Sequence, residues 1–148
     1  MYIQSFKAYL QLEKSLSEHS VQAYLDDVGK FMQYCEMENI RFEPKSIQLH
    51  HLTGFISWLH DMGLSATSQA RIISGIRAFF RFMVLEKMIE TDPSQLLEMP
   101  KLGRKLPEVL SVEEIDLMIA AIDLSKAEGE RNKAIIETMY GCGLRVSE

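Results

Sequence analysis

The stretch SATSQARIISGIRAFFRFMV, residues 65–84, decides the fold. Its apolar residues Ile72, Ile73, Ile76, Phe79, Phe80, Met83 and Val84 recur every three or four positions. That is the spacing of one face of an α-helix, not the alternation of a strand. Ser65 or Thr67 stands near its start, where a hydroxyl can accept from an orphan backbone N–H. The same period continues outward. Val21, Tyr24, Leu25, Val28, Phe31, Met32 and Cys35 form a stripe with Ser17 as its N-cap. Leu49, Leu52, Phe55, Ile56 and Leu59 form another, ended near Gly63, and Ile3, Phe6, Tyr9 and Leu10 form a shorter one. Asp92-Pro93 predicts a short helical turn, since proline suits the first helical position. No segment alternates for long enough to predict a strand. Residues 1–99 therefore read as an all-α bundle of four to five helices.

The composition bounds what such a bundle can do. The chain has 148 residues, 47% apolar and 25% charged, which is ordinary for a globular protein. Its 21 acidic and 16 basic side chains give a net charge of −5, which excludes a uniformly basic coat. Any nucleic-acid site must then be local. Cys35 and Cys142 sit among apolar residues without metal or disulfide spacing, and are expected as buried free thiols of a reducing cytoplasm. No apolar run reaches the length of a membrane span, and Met1 to Lys14 lacks the apolar core of a signal peptide.

A boundary follows the bundle. Pro100 to Pro107 holds two prolines, a glycine and three positive charges in eight residues, and residues 100–110 read as an exposed basic linker. Ser111-Val112-Glu113-Glu114 then has the form of a capping box. It opens a helix carrying Ile115, Met118, Ile119 and Ile122. A further helix is expected over Arg131 to Tyr140, stopped by Gly141 and Gly143. Residues 111–148 are too few for an independent core. They read as the start of a second domain of a longer protein, with helices more loosely held than residues 20–85, a difference hydrogen exchange would register.

Between Asp61 and Glu86 no acidic residue occurs, while Arg71, Arg77 and Arg81 all do. At about 100° per residue, Thr67, Arg71, Ser74, Arg77, Ala78 and Arg81 share an arc of roughly 120° opposite the apolar one. Such a strip fits a DNA groove. Arginines neutralise phosphates or read guanine edges, hydroxyls take phosphate oxygens, and alanine permits close approach. The same pattern also describes a solvated outer face, and periodicity leaves both readings open. Lys101, Arg104 and Lys105 in the linker can likewise follow a phosphate backbone or simply keep the linker soluble. His19, beside Ser17 and Ser20, is placed to touch DNA, while His50, His51 and His60 read as surface or partly buried. Neither metal spacing nor a nucleotide-binding loop nor a hydrolase elbow is present, so no metal or cofactor is predicted.

Four patches carry a resemblance. They are Leu12 to Tyr24; Gly63 to Ser68 leading into Arg71 to Phe82; Asp92-Pro93, Pro100-Lys101 and Leu106-Pro107 with Leu110-Ser111 and Glu113-Glu114; and most specifically Tyr140-Gly141-Cys142-Gly143-Leu144-Arg145-Val146-Ser147-Glu148. In order and spacing, over essentially all 148 residues, the chain resembles the N-terminal part of tyrosine recombinases of the Xer and phage-integrase type. The resemblance implies a SAM-like core-binding domain forming half of a clamp on double-stranded DNA, its second and fourth helices facing the duplex. It further implies a linker crossing the backbone, then the start of the catalytic domain. It implies strand exchange through a 3′-phosphotyrosyl intermediate, without metal or ATP, by a cytoplasmic tetramer of protomers with no membrane part. By position Arg145 would be the first catalytic arginine, with Glu148 in support. The remaining catalytic groups, including the nucleophilic tyrosine, would lie downstream. Tyr140 matches an apolar helix position and is no substitute. The chain itself is then expected to bind DNA without cleaving it. The competing reading is an all-α protein-interaction module with no DNA role.

Overall fold

A computed structural model describes residues 2–103 and 109–148. The chain divides into two compact units, Met1–Gly103 and Arg104–Glu148. Among the described residues there are six α-helices and no strand, so the protein is all-α.

In the first unit, α1 (Tyr2–Ala8) runs directly into a π-helical turn over Tyr9–Glu13. Its last bond is donated by the Lys14 N–H to the Tyr9 carbonyl at 3.1 Å. α2 (Glu18–Met37) begins at Ser17, whose Oγ accepts from the Ser20 N–H at 3.3 Å. α4 (Ala66–Leu85) begins in the same way at Ser65, which accepts from the Ser68 N–H at 3.2 Å. A hydroxyl cap of this kind contributes about 1 kcal/mol. α3 (Leu49–Asp61) is capped reciprocally: the Gln48 side chain takes the His51 N–H, and the Gln48 N–H donates to His51 Nδ1 at 3.1 Å.

α4 is the central element. Besides the isoleucines and phenylalanines of its apolar stripe, Gln69, Ala70, Gly75 and Phe82 are buried. The buried arc is thus wider than the stripe, because α2 and α3 cover one side while α1 and the π-turn cover another. Phe6 lies 5.2 Å from Phe79, and Tyr9 lies 5.0 Å from Phe82, between ring centroids. Phe31, Phe55 and Phe80 complete an aromatic centre with Leu52, Leu59 and Ile76. Each fully buried side chain of this size contributes about 1.5–3 kcal/mol. α2 and α4 run antiparallel. Asp27 meets Arg71 and Gly75, while Tyr24, earlier in α2, shares a cavity with Ala78 and Arg81, later in α4.

Asp92-Pro93 opens the expected short turn, with the Gln95 N–H donating to the Asp92 carbonyl at 3.3 Å and the Leu97 N–H to the Ser94 carbonyl at 3.1 Å, and no longer helix. Asp92 Oδ1 accepts from both the Ser94 N–H at 2.8 Å and the Ser94 hydroxyl at 2.6 Å. The aspartate thus caps the turn as it would the start of a helix, taking a donor that has no intrahelical partner at that position. Only a turn through Leu97 follows, so this unit has four α-helices and one π-turn among its described residues.

In the second unit, α5 (Val112–Ala120) carries the expected capping box. The Ser111 N–H donates to Glu114 Oε2 at 2.8 Å, and the Glu114 N–H to Ser111 Oγ at 3.2 Å. α6 (Gly129–Cys142) starts earlier than expected and passes through Gly141. Only Gly143, at φ +64°, ends it. Among the described residues of this unit only Ile115 and Gly129 are buried. Cys142 is accordingly exposed, against the expectation of two buried thiols, since so little of this unit's described part is buried. Cys35 is buried on α2, and burial pushes its thiol pKa up to about 11.

Candidate nucleic-acid interface

The predicted strip on α4 is present but narrower than the helical wheel suggests. Thr67, Arg71, Ser74 and Arg81 are exposed along one edge, with Ala78 half-buried between them. From Thr67 to Arg81 the edge extends about 21 Å at the α-helical rise, close to the height of six base pairs. The Ser74 hydroxyl donates back to the Ala70 carbonyl at 2.9 Å, which leaves its oxygen lone pairs for other donors.

The arginines differ from one another. Arg71 meets the carboxylate of Asp27 end-on: one terminal nitrogen donates at 2.9 Å and the other at 2.6 Å. The Arg71 side chain is 52% exposed and that of Asp27 only 2%. Burial raises the Asp27 pKa above the ordinary aspartate value, and the guanidinium of Arg71 pulls against that shift. Arg77 is half-buried. Its terminal nitrogen donates to the Leu97 carbonyl, which ties the segment after Asp92 onto α4. Its Nε is buried with no partner among the described residues. Arg77 and Arg81 both line a cleft of about 500 Å³ with Glu90, Asp92 and Ser94, so acidic side chains border this end of α4. Arg81 makes no ion pair among the described residues.

Ser17, His19 and Ser20 lie at the N-terminus of α2. Ser17 and His19 are exposed, and the Ser17 and Ser20 hydroxyls are 3.0 Å apart. The antiparallel pairing puts this end of α2 beside the Arg81 end of α4, and Thr67 at the opposite end. Lys14, Leu16 and Tyr24 share a cavity with Ala78 and Arg81. Lys14 Nζ stands 5.5 Å from the centre of the Tyr9 ring. Lys14 and Tyr24 thus border the strip, although the sequence reading did not single them out. Both belong to α2 or its approach, and only the helix pairing brings them near α4. Asp27 was also missed. Its signal was a charged residue three positions after Tyr24 and four before Phe31, on an apolar stripe.

Lys101 is exposed, while Arg104 and Lys105 lie outside the described residues. In the second unit Arg145 is exposed and meets Glu148 twice. Its N–H donates to Glu148 Oε2 at 2.8 Å, and its guanidinium lies 3.2 Å from Oε1. Among the described residues no cluster of histidine, cysteine or carboxylate could hold a metal ion, and no helix is long and apolar enough to cross a membrane.

This geometry has close relatives. The model of the phage integrase N-terminal SAM-like domain matches residues 3–87, more than half the chain, and the protein belongs to that family. The chain is 38% identical over 146 residues to tyrosine recombinase XerD of Staphylococcus saprophyticus, covering 99% of this chain and 49% of that one. It is 36% identical over 143 residues to tyrosine recombinase XerC of Anoxybacillus flavithermus, covering 97% and 47%. It is also 36% identical over 148 residues to tyrosine recombinase XerD of Pseudomonas putida, covering 99% and 48%. The chain therefore spans about half the length of the curated relatives it matches. An integrase from mycobacterium phage Brujita has the same fold, with a TM-score of 0.60 at 22% identity over 99% of this chain and 46% of that one.

Proposed function

We propose that the chain is the DNA-recognising portion of a site-specific tyrosine recombinase. In this reading residues 1–99 hold duplex DNA through the exposed edge of α4 and the N-terminal end of α2. Residues 100–110 follow the phosphate backbone, and residues 111–148 begin the catalytic domain. The observation that carries it is the exposed polar edge of α4, which has no acidic residue of its own and ends in Arg81, a cation with no ion pair among the described residues, within a domain of the integrase family. A local positive edge reconciles DNA binding with a net charge of −5.

In the whole protein, Arg145 would stabilise charge on the scissile phosphate. A pre-placed guanidinium opposite developing charge contributes about 3–4 kcal/mol in comparable sites. Glu148, bonded to both the backbone and the guanidinium of Arg145, would hold that side chain in place. The whole protein would work in the cytoplasm with other protomers of its kind on duplex DNA. The chain alone should bind without cleaving.

The test is retention of mixed genomic duplexes by this chain at two salt concentrations, with sequencing of what is retained. Salt-sensitive retention supports the proposal. No retention at low salt removes DNA from the reading and favours a protein-interaction module.

A further inference from the structure

We propose that Arg71, oriented by the buried carboxylate of Asp27, reads a guanine base rather than contacting a phosphate. Asp27 is then a positioning residue for sequence specificity. The inference rests on the DNA-binding reading above and deepens it.

Three features of the pair carry it. The first is charge. Asp27 is nearly inaccessible and holds both terminal nitrogens of Arg71, so the pair presents little net charge to a polyanion. A phosphate contact profits mainly from an unneutralised cation, and Arg81 on the same edge supplies one. The second is donor count. A guanidinium has five N–H donors in a fixed plane, and the end-on bond to Asp27 consumes two. The Nε–H and one terminal N–H remain along the side edge. That edge presents two parallel donors, the pattern that matches guanine O6 and N7 in the major groove. The third is rigidity. The Asp27 side chain has little room to swing, because it lies close against Gly75. A Cβ at that position would fall 2.3 Å from Asp27 Oδ2 and 2.9 Å from its Cβ. α4 lacks a side chain where the carboxylate needs the space. A half-exposed arginine held from behind loses little freedom when it meets a base, which favours reading over mere attraction.

Selection from a pool of randomised duplexes tests this, using the whole chain as wild type, Asp27→Asn and Arg71→Lys. The wild type should retain duplexes sharing a motif with at least one fixed guanine. Changing that guanine should cost roughly tenfold to a hundredfold in affinity. Both variants should lose that preference at the same position. In Asp27→Asn the released guanidinium becomes an additional free cation, so binding should depend more steeply on salt, by about one unit in the log–log slope. A merely structural pair would lower the unfolding temperature of both variants and leave the base preference unchanged in whatever still binds. That result would overturn the proposal. Should Asp27→Asn fail to fold, Arg71→Lys decides, because its site is half-exposed; a preserved guanine preference there refutes the inference. Salt-sensitive retention by the wild type with no shared motif refutes guanine reading but leaves DNA binding standing. No retention at all refutes both.

Discussion

Replacing Gly75 by alanine should destabilise the protein, although the same change in an exposed helix interior ordinarily stabilises by about 1 kcal/mol. The added Cβ would stand 2.3 Å from Asp27 Oδ2, 2.9 Å from Asp27 Cβ and 3.0 Å from Asp27 Cγ. Two responses are open. The carboxylate can turn away from Arg71, leaving a buried charge without its partner, at about 3–5 kcal/mol. Alternatively α2 can move off α4 and disturb the packing around Phe31 and Phe79, at about 1–3 kcal/mol, with the severity of the overlap placing it near the upper end. Taking the cheaper route at about 3 kcal/mol and subtracting the propensity gain of about 1 leaves a net loss of about 2 kcal/mol. For a bundle of this size that lowers the melting temperature by roughly 8–16 °C. Gly29 on α2 supplies the control. It is exposed and a Cβ there would meet nothing within 4 Å, so Gly29→Ala should stabilise by about 0.5–1 kcal/mol. Urea unfolding followed by far-ultraviolet circular dichroism measures both. A Gly75→Ala protein as stable as the wild type, or more so, would refute the reasoning that Asp27 lies too close to α4 to make room for a methyl group.

Further outcomes follow from the same structure. Arg81→Glu should weaken duplex binding and flatten its salt dependence by at least about one unit in the log–log slope, measured by fluorescence anisotropy. The double change Arg71→Glu with Arg77→Glu is a poorer test, because it sets a glutamate against buried Asp27 and removes the tie to Leu97. A thiol alkylating reagent should modify the folded chain once, at exposed Cys142. Cys35, buried and with its pKa raised to about 11, should react only after unfolding, and mass spectrometry counts the adducts. The His51 pKa is lowered, first by burial and then by the charge of His50. Its neutral Nδ1 accepts from the Gln48 N–H, and a group with a depressed folded pKa contributes stability above its unfolded pKa that is lost as pH falls through the folded one. Acidification through the imidazole range should therefore loosen the start of α3, at a cost of about 1 kcal/mol. His51→Gln, which keeps an acceptor but cannot titrate there, should remove that pH dependence in thermal melts.

What could be read from the sequence was local. Ser17, Ser65 and the Ser111–Glu114 pair announce helix starts within four residues, and the apolar stripes place Phe31, Phe55, Phe79 and Phe80 in the core. What escaped was long-range. Arg77 shares a wheel position with Arg71 and Arg81, yet the chain folding back at Leu97 claims its guanidinium. An acid-free window in one helix says nothing of an acid supplied by another, and Asp27 neutralises Arg71 from 44 residues away. The exposure of Cys142 depends on how little core residues 109–148 build around it.

The antiparallel pairing of α2 with α4 also sets a timetable for synthesis. α2 leaves the ribosome with its apolar face and the Asp27 carboxylate complete, but its partner surface does not exist until Gly75 and Phe80 have emerged. At about 5–20 residues per second that interval lasts roughly 2–10 s. Through it, an amphipathic helix carrying an unmatched acid waits in water. A charged carboxylate in the middle of the stripe discourages α2 from burying itself against another nascent chain, and it is neutralised only when Arg71 of the same molecule arrives. By the general logic of charged residues interrupting apolar stripes, such a residue would act as a gatekeeper while the chain is incomplete.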